Sequence, residues 1–147
     1  MRTLDAADGA ACAAIHAACF AHPWPASEFE SMAASSAMFG LSAVDGGSDA
    51  PLGFIISRKV LDEAEVLTIA VASQHRRKGL AAALLADHLS TLAIERVRRL
   101  FLEVDEGNIA ARALYAKFGF VEKGRREGYY RKADGQRATA LILQKDV

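Results

Sequence analysis

The sequence predicts one α/β domain over residues 1–147, with helices on both faces of a central mixed sheet. Two observations predict this class. Short apolar runs rich in β-branched residues alternate with longer segments in which alanine and leucine recur at helical spacing. The run 66–71, the helical segment 80–97 and the run 100–104 follow one another in the order of a β-α-β unit. Over the whole chain the expected order of elements is βααβββαβαββ.

The predicted helices are bounded by capping residues and by proline. Asp8 is a candidate N-cap for an alanine-rich first helix, and Pro25 breaks the chain after it. Ser27 and Glu30 have the spacing of a capping box, which predicts a short second helix. Gly119 stands where the last helix should end. The four predicted helices cover residues 9–20, 28–34, 80–97 and 106–118.

The predicted strands are short apolar runs separated by turn residues. Asp45 and Gly46 mark a turn between two of them, and Asp62 with Glu63 marks the next turn. A charged and aromatic segment, residues 125–137, separates the last two strands. The seven predicted strands cover residues 2–5, 39–44, 52–60, 66–71, 100–104, 120–123 and 138–143.

Composition excludes several classes of protein. Hydrophobic residues make up 52% of the chain and the formal net charge is zero, which is unlike a protein whose main task is to bind nucleic acid. No apolar run approaches membrane-spanning length and the start lacks an apolar signal core, so cytoplasmic residence is expected. Cys12 and Cys19 lie about 10 Å apart on one predicted helix, too far for a disulfide. Both are expected to be small buried hydrophobes, and no spacing suggests a metal site.

A basic turn with one glycine precedes the third predicted helix. Arg76, Arg77 and Lys78 stand before Gly79, and the first N–H groups of a helix have no partner within it. The helix dipole adds partial positive charge there, and glycine lets the backbone approach a ligand closely. This arrangement favours an anion, with a pyrophosphate as the expected ligand. The alternative is a solvated basic helix start, and these residues by themselves do not decide between the two.

Three polar residues downstream could carry chemistry. Glu103 lies on a strand whose Leu102 and Val104 face the other way, so its carboxylate is either exposed or functional. It stands near the carboxyl end of a strand in a parallel unit, where ligands gather. Asn108 and Tyr115 share a face of the next helix, about 10 Å apart along its axis. Asn108 is either an N-cap or a ligand contact, and Tyr115 either packs in the core or contacts the ligand.

The basic turn resembles the (Arg/Gln)-x-x-Gly-x-(Gly/Ala) loop of the GNAT acetyltransferases, which holds the pyrophosphate of acetyl-coenzyme A. Arg76, Gly79 and Ala81 occupy its three defining positions. Further segments resemble, in order and spacing, the branch of that family that acetylates the N-terminal alanine of ribosomal proteins. These segments are residues 22–24, 61–65, 102–104, 113–120 and 128–130. The resemblance covers essentially the whole chain and implies the GNAT fold.

The resemblance implies a role for each candidate residue. Glu103 would be the general base that takes a proton from the acceptor amine, and Tyr115 the general acid that protonates the leaving thiolate. Trp24, Tyr129 and Tyr130 would bind the acceptor, although Trp24 could equally pack against the second helix. The residues expected to bind acetyl-coenzyme A are Ile69, Ala70, Val71, Arg76, Arg77, Lys78, Gly79, Leu80, Ala81, Ala82 and Asn108.

The expected function is therefore transfer of acetyl from acetyl-coenzyme A to the N-terminal alanine of a small-subunit ribosomal protein, by direct attack and without a metal. That protein N-terminus is the expected partner; no membrane or nucleic acid is expected. The basic stretch 123–132 could contact RNA, dock the ribosomal protein or simply be solvated. One alternative is acetylation of a small amine or a lysine side chain. The other is a non-catalytic acyl-coenzyme A sensor, against which the presence of both Glu103 and Tyr115 argues.

Overall fold

A seven-stranded mixed sheet forms the centre of the computed structural model, which describes residues 1–131 and 134–147. The side chains of Tyr130 and Arg131, and the whole of Lys132, lie outside the described residues, and with them the predicted acceptor contact of Tyr130. The strands are β1 (Arg2–Thr3), β2 (Met38–Val44), β3 (Pro51–Val60), β4 (Glu63–Val71), β5 (Arg99–Asp105), β6 (Val121–Arg131) and β7 (Arg137–Asp146). The helices are α1 (Gly9–Cys19), α2 (Ala26–Ala34), α3 (Leu80–Ile94) and α4 (Ile109–Lys117). Two short 3₁₀ turns, Ala6–Asp8 and Ser73–His75, complete the described elements.

The strands lie in the order β1-β2-β3-β4-β5-β7-β6, and the pair β4–β5 is parallel while the other neighbours are antiparallel. Helices α1 and α2 pack on one face around Phe29 and Phe54, and α3 and α4 cover the other around Leu84 and Tyr115. The predicted mixed sheet with helices on both faces is confirmed. Among the described residues, no helix is long and apolar enough to cross a bilayer.

The pairing of β4 with β5 stops halfway along the two strands. Their ladder runs only from Glu63 opposite Arg99 to Val66 opposite Leu102. At that point β4 contains a bulge: Ser57 of β3 pairs with Val66 while Ile56 pairs with Thr68, which leaves Leu67 as the extra residue. A bulge bends its strand and increases the local twist. Beyond it β4 stays paired with β3 and β5 with β7, so a gap opens between their carboxyl ends.

The bulge also exchanges the two faces of β4. Before the bulge, the side chains of Ala64 and Val66 face α3 and α4. After it, Ile69 and Val71 face those helices, and Ala70 packs in the core beneath α1 and α2. In a regular strand, alternate residues would keep the same face throughout. The extra residue therefore lets one continuous apolar run serve both cores.

Two predicted caps differ in the structure. The helix α2 begins directly after Pro25, and the side chain of Ser27 lies within its first turn without capping it. Glu30 does not reach back as a capping box requires, because its side chain packs over Gly9 of α1. Asp8 precedes α1 but does not cap it with its side chain, since its carboxylate forms an ion pair with Arg2 at 2.7 Å.

Several element boundaries also differ, since β4 already begins at Glu63, predicted as a turn residue, and α4 begins at Ile109 instead of residue 106. The predicted helix 80–97 ends earlier, at Ile94, because Arg96 takes a left-handed backbone and Val97 turns back into the core. The charged segment 125–137 is not merely a connection, because β6 continues through it to Arg131 and pairs with β7 on both sides of a bulge. The caps at Asn108 and Gly119 are as predicted.

A histidine lies fully buried between α3 and β3. The Nε2 atom of His88 is 2.6 Å from Ser57 Oγ, and its Nδ1 has no hydrogen-bond partner among the described residues. Burial lowers the pKa of His88 to about 4. The imidazole is therefore neutral in the folded protein at neutral pH.

We predict that this histidine makes the protein sensitive to mild acid. Because the unfolded chain binds the proton near pH 6.5 and the folded chain only near 4, stability falls as the pH drops through that window. The shift corresponds to about 3 kcal/mol lost between pH 7 and pH 4. Urea unfolding across this range would measure it, with His88→Gln as a comparison that keeps a polar side chain beside Ser57. An equally steep acid dependence in His88→Gln would show that other groups are responsible.

Candidate active site

The gap between β4 and β5 forms a cleft of about 660 Å³ that passes through the sheet. The end of α1 borders it on one face and α4 on the other. Its strand residues are Val66, Leu67, Thr68, Ile69, Leu102, Glu103, Val104 and Asp105, and its helix residues include His16, Cys19, Asn108, Ala111 and Tyr115. Because β4 has no neighbouring strand beyond Val66 on this side, its backbone N–H and C=O groups can bind an extended ligand.

A second space, of about 520 Å³, lies between α2, β4 and the β6–β7 hairpin, and is called the groove below. Its walls include Glu28 and Met32 of α2 and Tyr129 of β6. Trp24 and Glu103 line both this groove and the cleft, so the two spaces adjoin at these side chains. A ligand in the cleft and a second ligand in the groove would therefore meet beside Glu103.

Glu103 holds the central position in this arrangement. Its side chain is 20% exposed, and its Oε1 lies 3.4 Å from Nη1 of Arg126. The groove has two other carboxylates, Glu28 and Glu65, but neither of them lines the cleft. Of the two alternatives for Glu103, full exposure to solvent does not hold.

Tyr115 lies on α4 with its ring buried against Phe120, at 5.6 Å between ring centroids. It also lines the cleft, and its hydroxyl has no hydrogen-bond partner among the described residues. Burial raises the pKa of Tyr115 to about 12, so the phenol keeps its proton at neutral pH. The ring thus belongs to the core while the hydroxyl remains available to a ligand.

Asn108 fulfils one of the two alternatives left open by the sequence, and the other, a ligand contact, stays a prediction. Its Oδ1 accepts a hydrogen bond from the Ala111 N–H at 3.2 Å, which caps α4. The residue also lines the cleft, and its Nδ2 has no acceptor among the described residues. One end of the amide therefore holds the helix and the other can donate to a ligand.

The basic turn places an open helix start at the end of β4. Gly79 is the N-cap of α3 with φ of +78°, and a Cβ built there would meet no atom within 4 Å. The N–H groups of Leu80, Ala81 and Ala82 have no acceptor in the part of the chain that the structure describes. Arg77 and Lys78 are exposed beside them. This set of donors suits an anionic ligand.

Arg76 contacts protein groups instead of standing free. Its Nε donates to the Val71 carbonyl at 3.3 Å, and its Nη2 donates to Cys19 Sγ at 3.0 Å. The Cys19 thiol in turn donates to the same carbonyl at 3.6 Å. Arg76 therefore ties the turn to α1 and to the end of β4. The expectation that Cys19 is a buried hydrophobe is wrong, because it is half-buried and lines the cleft.

Trp24 is held by a histidine that the sequence interpretation did not select. The ring of His16 stacks between Phe20 and Trp24, at centroid distances of 4.3 and 4.8 Å. The Trp24 backbone N–H donates to His16 Nδ1 at 3.1 Å, which requires that nitrogen to be unprotonated. Burial lowers the pKa of His16, in keeping with this role. Trp24 thus both packs against Phe29 of α2 and lines the groove.

The other predicted cofactor residues differ in what they can offer. Ile69 lines the cleft, whereas the side chains of Ala70 and Val71 are buried in the two cores. Only the backbone of Ala70 and Val71 can therefore contact a ligand. Tyr129 is half exposed and lines the groove, and its contact with an acceptor stays a prediction.

Known proteins share this sequence and this geometry. The Acetyltransferase (GNAT) family model matches residues 10–120. The [ribosomal protein bS18]-alanine N-acetyltransferase of Escherichia coli strain K12 is 43% identical over 90 residues, which are 61% of this chain and 60% of that protein. The protein of the same name from Haemophilus influenzae is 39% identical over 92 residues, 63% of this chain and 62% of that protein. The match thus spans about three fifths of the length of these curated relatives.

The crystal structure of the ribosomal-protein-S18-alanine N-acetyltransferase from Escherichia coli superposes with a TM-score of 0.91 at 34% identity. That superposition covers 99% of this chain and 92% of the other. The fold agrees over essentially its whole length, and the family model spans the cleft, the basic turn and α4. This chain belongs to the GNAT acetyltransferase family.

Proposed function

We propose that this protein transfers the acetyl group of acetyl-coenzyme A to the N-terminal α-amine of a protein. The observation that carries the proposal is the position of Glu103, where the cleft adjoins an open groove. The relatives named above act on an alanine of ribosomal protein bS18. An N-terminal alanine of a small-subunit ribosomal protein is therefore the proposed acceptor, and the proposal implies a cytoplasmic enzyme.

The residues around the cleft fit acetyl-coenzyme A. The unpaired N–H groups at the start of α3 can bind its pyrophosphate, and the open edge of β4 can pair with the amides of its pantetheine arm. Thr68 Oγ1 is buried in the cleft wall and has no hydrogen-bond partner among the described residues, which is consistent with a polar ligand there. Acetyl-coenzyme A, when bound, supplies the thioester that the acceptor amine attacks.

Glu103 and Tyr115 then divide the proton transfers between them. An α-amine has an ordinary pKa near 7.7–8.0, so most of it carries a proton at pH 7 and must lose it before attack. Glu103 can accept that proton directly or through water. Tyr115 keeps its own proton and can donate it to the sulfur as the carbon–sulfur bond breaks. The same burial that disfavours a phenolate also makes a departing thiolate more basic.

The function can be tested with short peptides that differ only in their first residue. We expect coenzyme A release with alanine-start peptides and mass-spectrometric evidence of acetyl on the α-amine. Equal use of free small amines or of lysine side chains would contradict a peptide N-terminus as the acceptor. Binding of acetyl-coenzyme A without turnover of any amine would indicate a sensor. Intact-mass analysis after acetyl-coenzyme A alone should show no acetylated enzyme, since direct attack forms no acetyl-cysteine.

We predict that Glu103→Gln and Tyr115→Phe each lower turnover at least about tenfold, because each removes one proton-transfer group. Both replacements keep the shape of the side chain, and Phe at 115 keeps the packing against Phe120. Initial rates at saturating acetyl-coenzyme A would measure the loss. Glu122→Gln is the matched control, because Glu122 pairs with Arg125 outside the cleft and groove. Near-normal turnover in both active-site variants would show that the proposed roles are wrong.

We predict that Gly79→Ala weakens coenzyme A binding about tenfold. An L-residue in the left-handed region costs about 1–2 kcal/mol, and relaxing the turn moves the N–H groups that face the anion. Isothermal titration with coenzyme A would measure the affinity. Gly135→Ala is the control, because Gly135 has φ of +83° and no described atom within 4 Å of a Cβ built there, but lies between β6 and β7. We expect both variants to lose a similar amount of stability, and only Gly79→Ala to bind coenzyme A more weakly. Equal coenzyme A affinities in the two variants would contradict the anion site.

A further inference from the structure

An arginine contacts the carboxylate at the junction of cleft and groove. Nη1 of Arg126 lies 3.4 Å from Glu103 Oε1, and the guanidinium lies 4.9 Å from the ring centroid of Tyr129. Arg126 belongs to the basic stretch 123–132, for which the sequence leaves open a contact with RNA, docking of a ribosomal protein or simple solvation. Arg126 is thus a basic residue of the stretch that contacts the proposed site, beside Tyr129 of the groove.

The backbone of β6 holds Arg126 in that position. Arg126 pairs with Ala140 of β7, and pairing resumes only at Tyr130 opposite Ala138, so residues 127–129 bulge outward. Arg137 donates from Nη1 to the Gly128 carbonyl at 3.2 Å and fastens the bulge. The bulge turns Tyr129 toward the groove beside the guanidinium of Arg126.

The charged groups around this pair come from four strands. A hollow of about 290 Å³ beside Glu103 is lined by Arg58, Glu63, Glu65, Glu103 and Arg126. The two other carboxylates that line this hollow each form an ion pair. Glu65 pairs with Arg58 at 3.3 Å, and Glu63 pairs with Arg99 at 2.7 Å. The groove adds Glu28 from α2. On the cleft side the titratable residues are His16, Cys19, His22, Asp105 and Tyr115.

A lone carboxylate beside an amine has two opposed effects. It can accept the proton, but it also stabilises the ammonium form, which cannot attack a thioester. A nearby cation opposes the second effect. We propose that Arg126 is a positioning residue for acetyl transfer, which holds Glu103 through Oε1, leaves Oε2 to the acceptor, and disfavours the ammonium form of the bound amine. This role rests on the proposed function.

The proposal predicts a particular kinetic signature for Arg126→Gln. Without the cation, the bound amine should titrate about one pH unit higher, which lowers its neutral fraction about tenfold at pH 7 but only about twofold at pH 9. The single-turnover rate with saturating acetyl-coenzyme A and peptide should fall by these factors. The KM for the peptide should fall as well, because the ammonium form is held more tightly. Arg126→Lys, which restores a cation, should stay within about threefold of the wild type.

The controls separate this role from a merely structural one. Arg125→Gln is the matched variant, because Arg125 is similarly exposed but pairs with Glu106 and Glu122, and its rate should follow the wild type at every pH. Melting temperature and coenzyme A affinity should be unchanged in Arg126→Gln. A rate defect that is the same at pH 7 and pH 9, or no defect, would overturn the proposal. A wild-type protein that acetylates no peptide would instead contradict the proposed function, and the role of Arg126 with it.

Discussion

Every part of the site depends on the separation of two parallel strands. A strand inside a sheet normally uses both edges for hydrogen bonds, and an unpaired edge is costly unless a partner satisfies it. Here β4 gives one edge to β3 along its whole length and the other to β5 only as far as Val66. The bulge at Leu67 bends β4, and the ladder to β7 holds β5, so the two strands cannot rejoin. The cleft exists because each strand is retained by a different neighbour.

The same separation gives one domain room for the two ligands of the proposed reaction. A continuous sheet would keep α1 and α2 apart from α3 and α4, with no passage between the layers. The gap brings Tyr115, Asn108 and Glu103 to a common space, and the start of α3 is not among the residues that line it. Glu103 reaches that space because alternation on β5 buries Leu102 and Val104 on the opposite face.

The sequence contained the local parts of this site. The glycine at position 79 and the cap at Asn108 are features of a few consecutive residues, and the structure has both where they were predicted. The alternation on β5 likewise follows from a short run of residues and correctly assigned the face of Glu103. Short-range backbone rules are sufficient for such features.

Contacts between distant segments could not be predicted from the sequence. Cys19 and Arg76 are separated by 57 residues, and no spacing rule relates them. The pairing of Arg126 with Glu103 depends on a bulge in β6 that no proline or turn motif signals. The predicted capping box at Ser27 failed for the same reason, because Glu30 packs over a glycine of another helix. Tertiary packing overrides a local motif when the same side chain can either form the motif or pack against a distant segment.

The ladder between β5 and β7 has a consequence for the order in which the parts of the proposed site are completed during synthesis. Beyond Leu102, β5 is paired with β7 alone, which follows it in the chain after α4 and β6. A ribosome that has synthesised residues 1–131 has already supplied β4, α3 and the basic turn that is proposed to bind an anion. It has not yet supplied the strand that keeps Glu103 in register. The segments of the proposed donor site are therefore made first, and the strand that holds the proposed general base in register is made last.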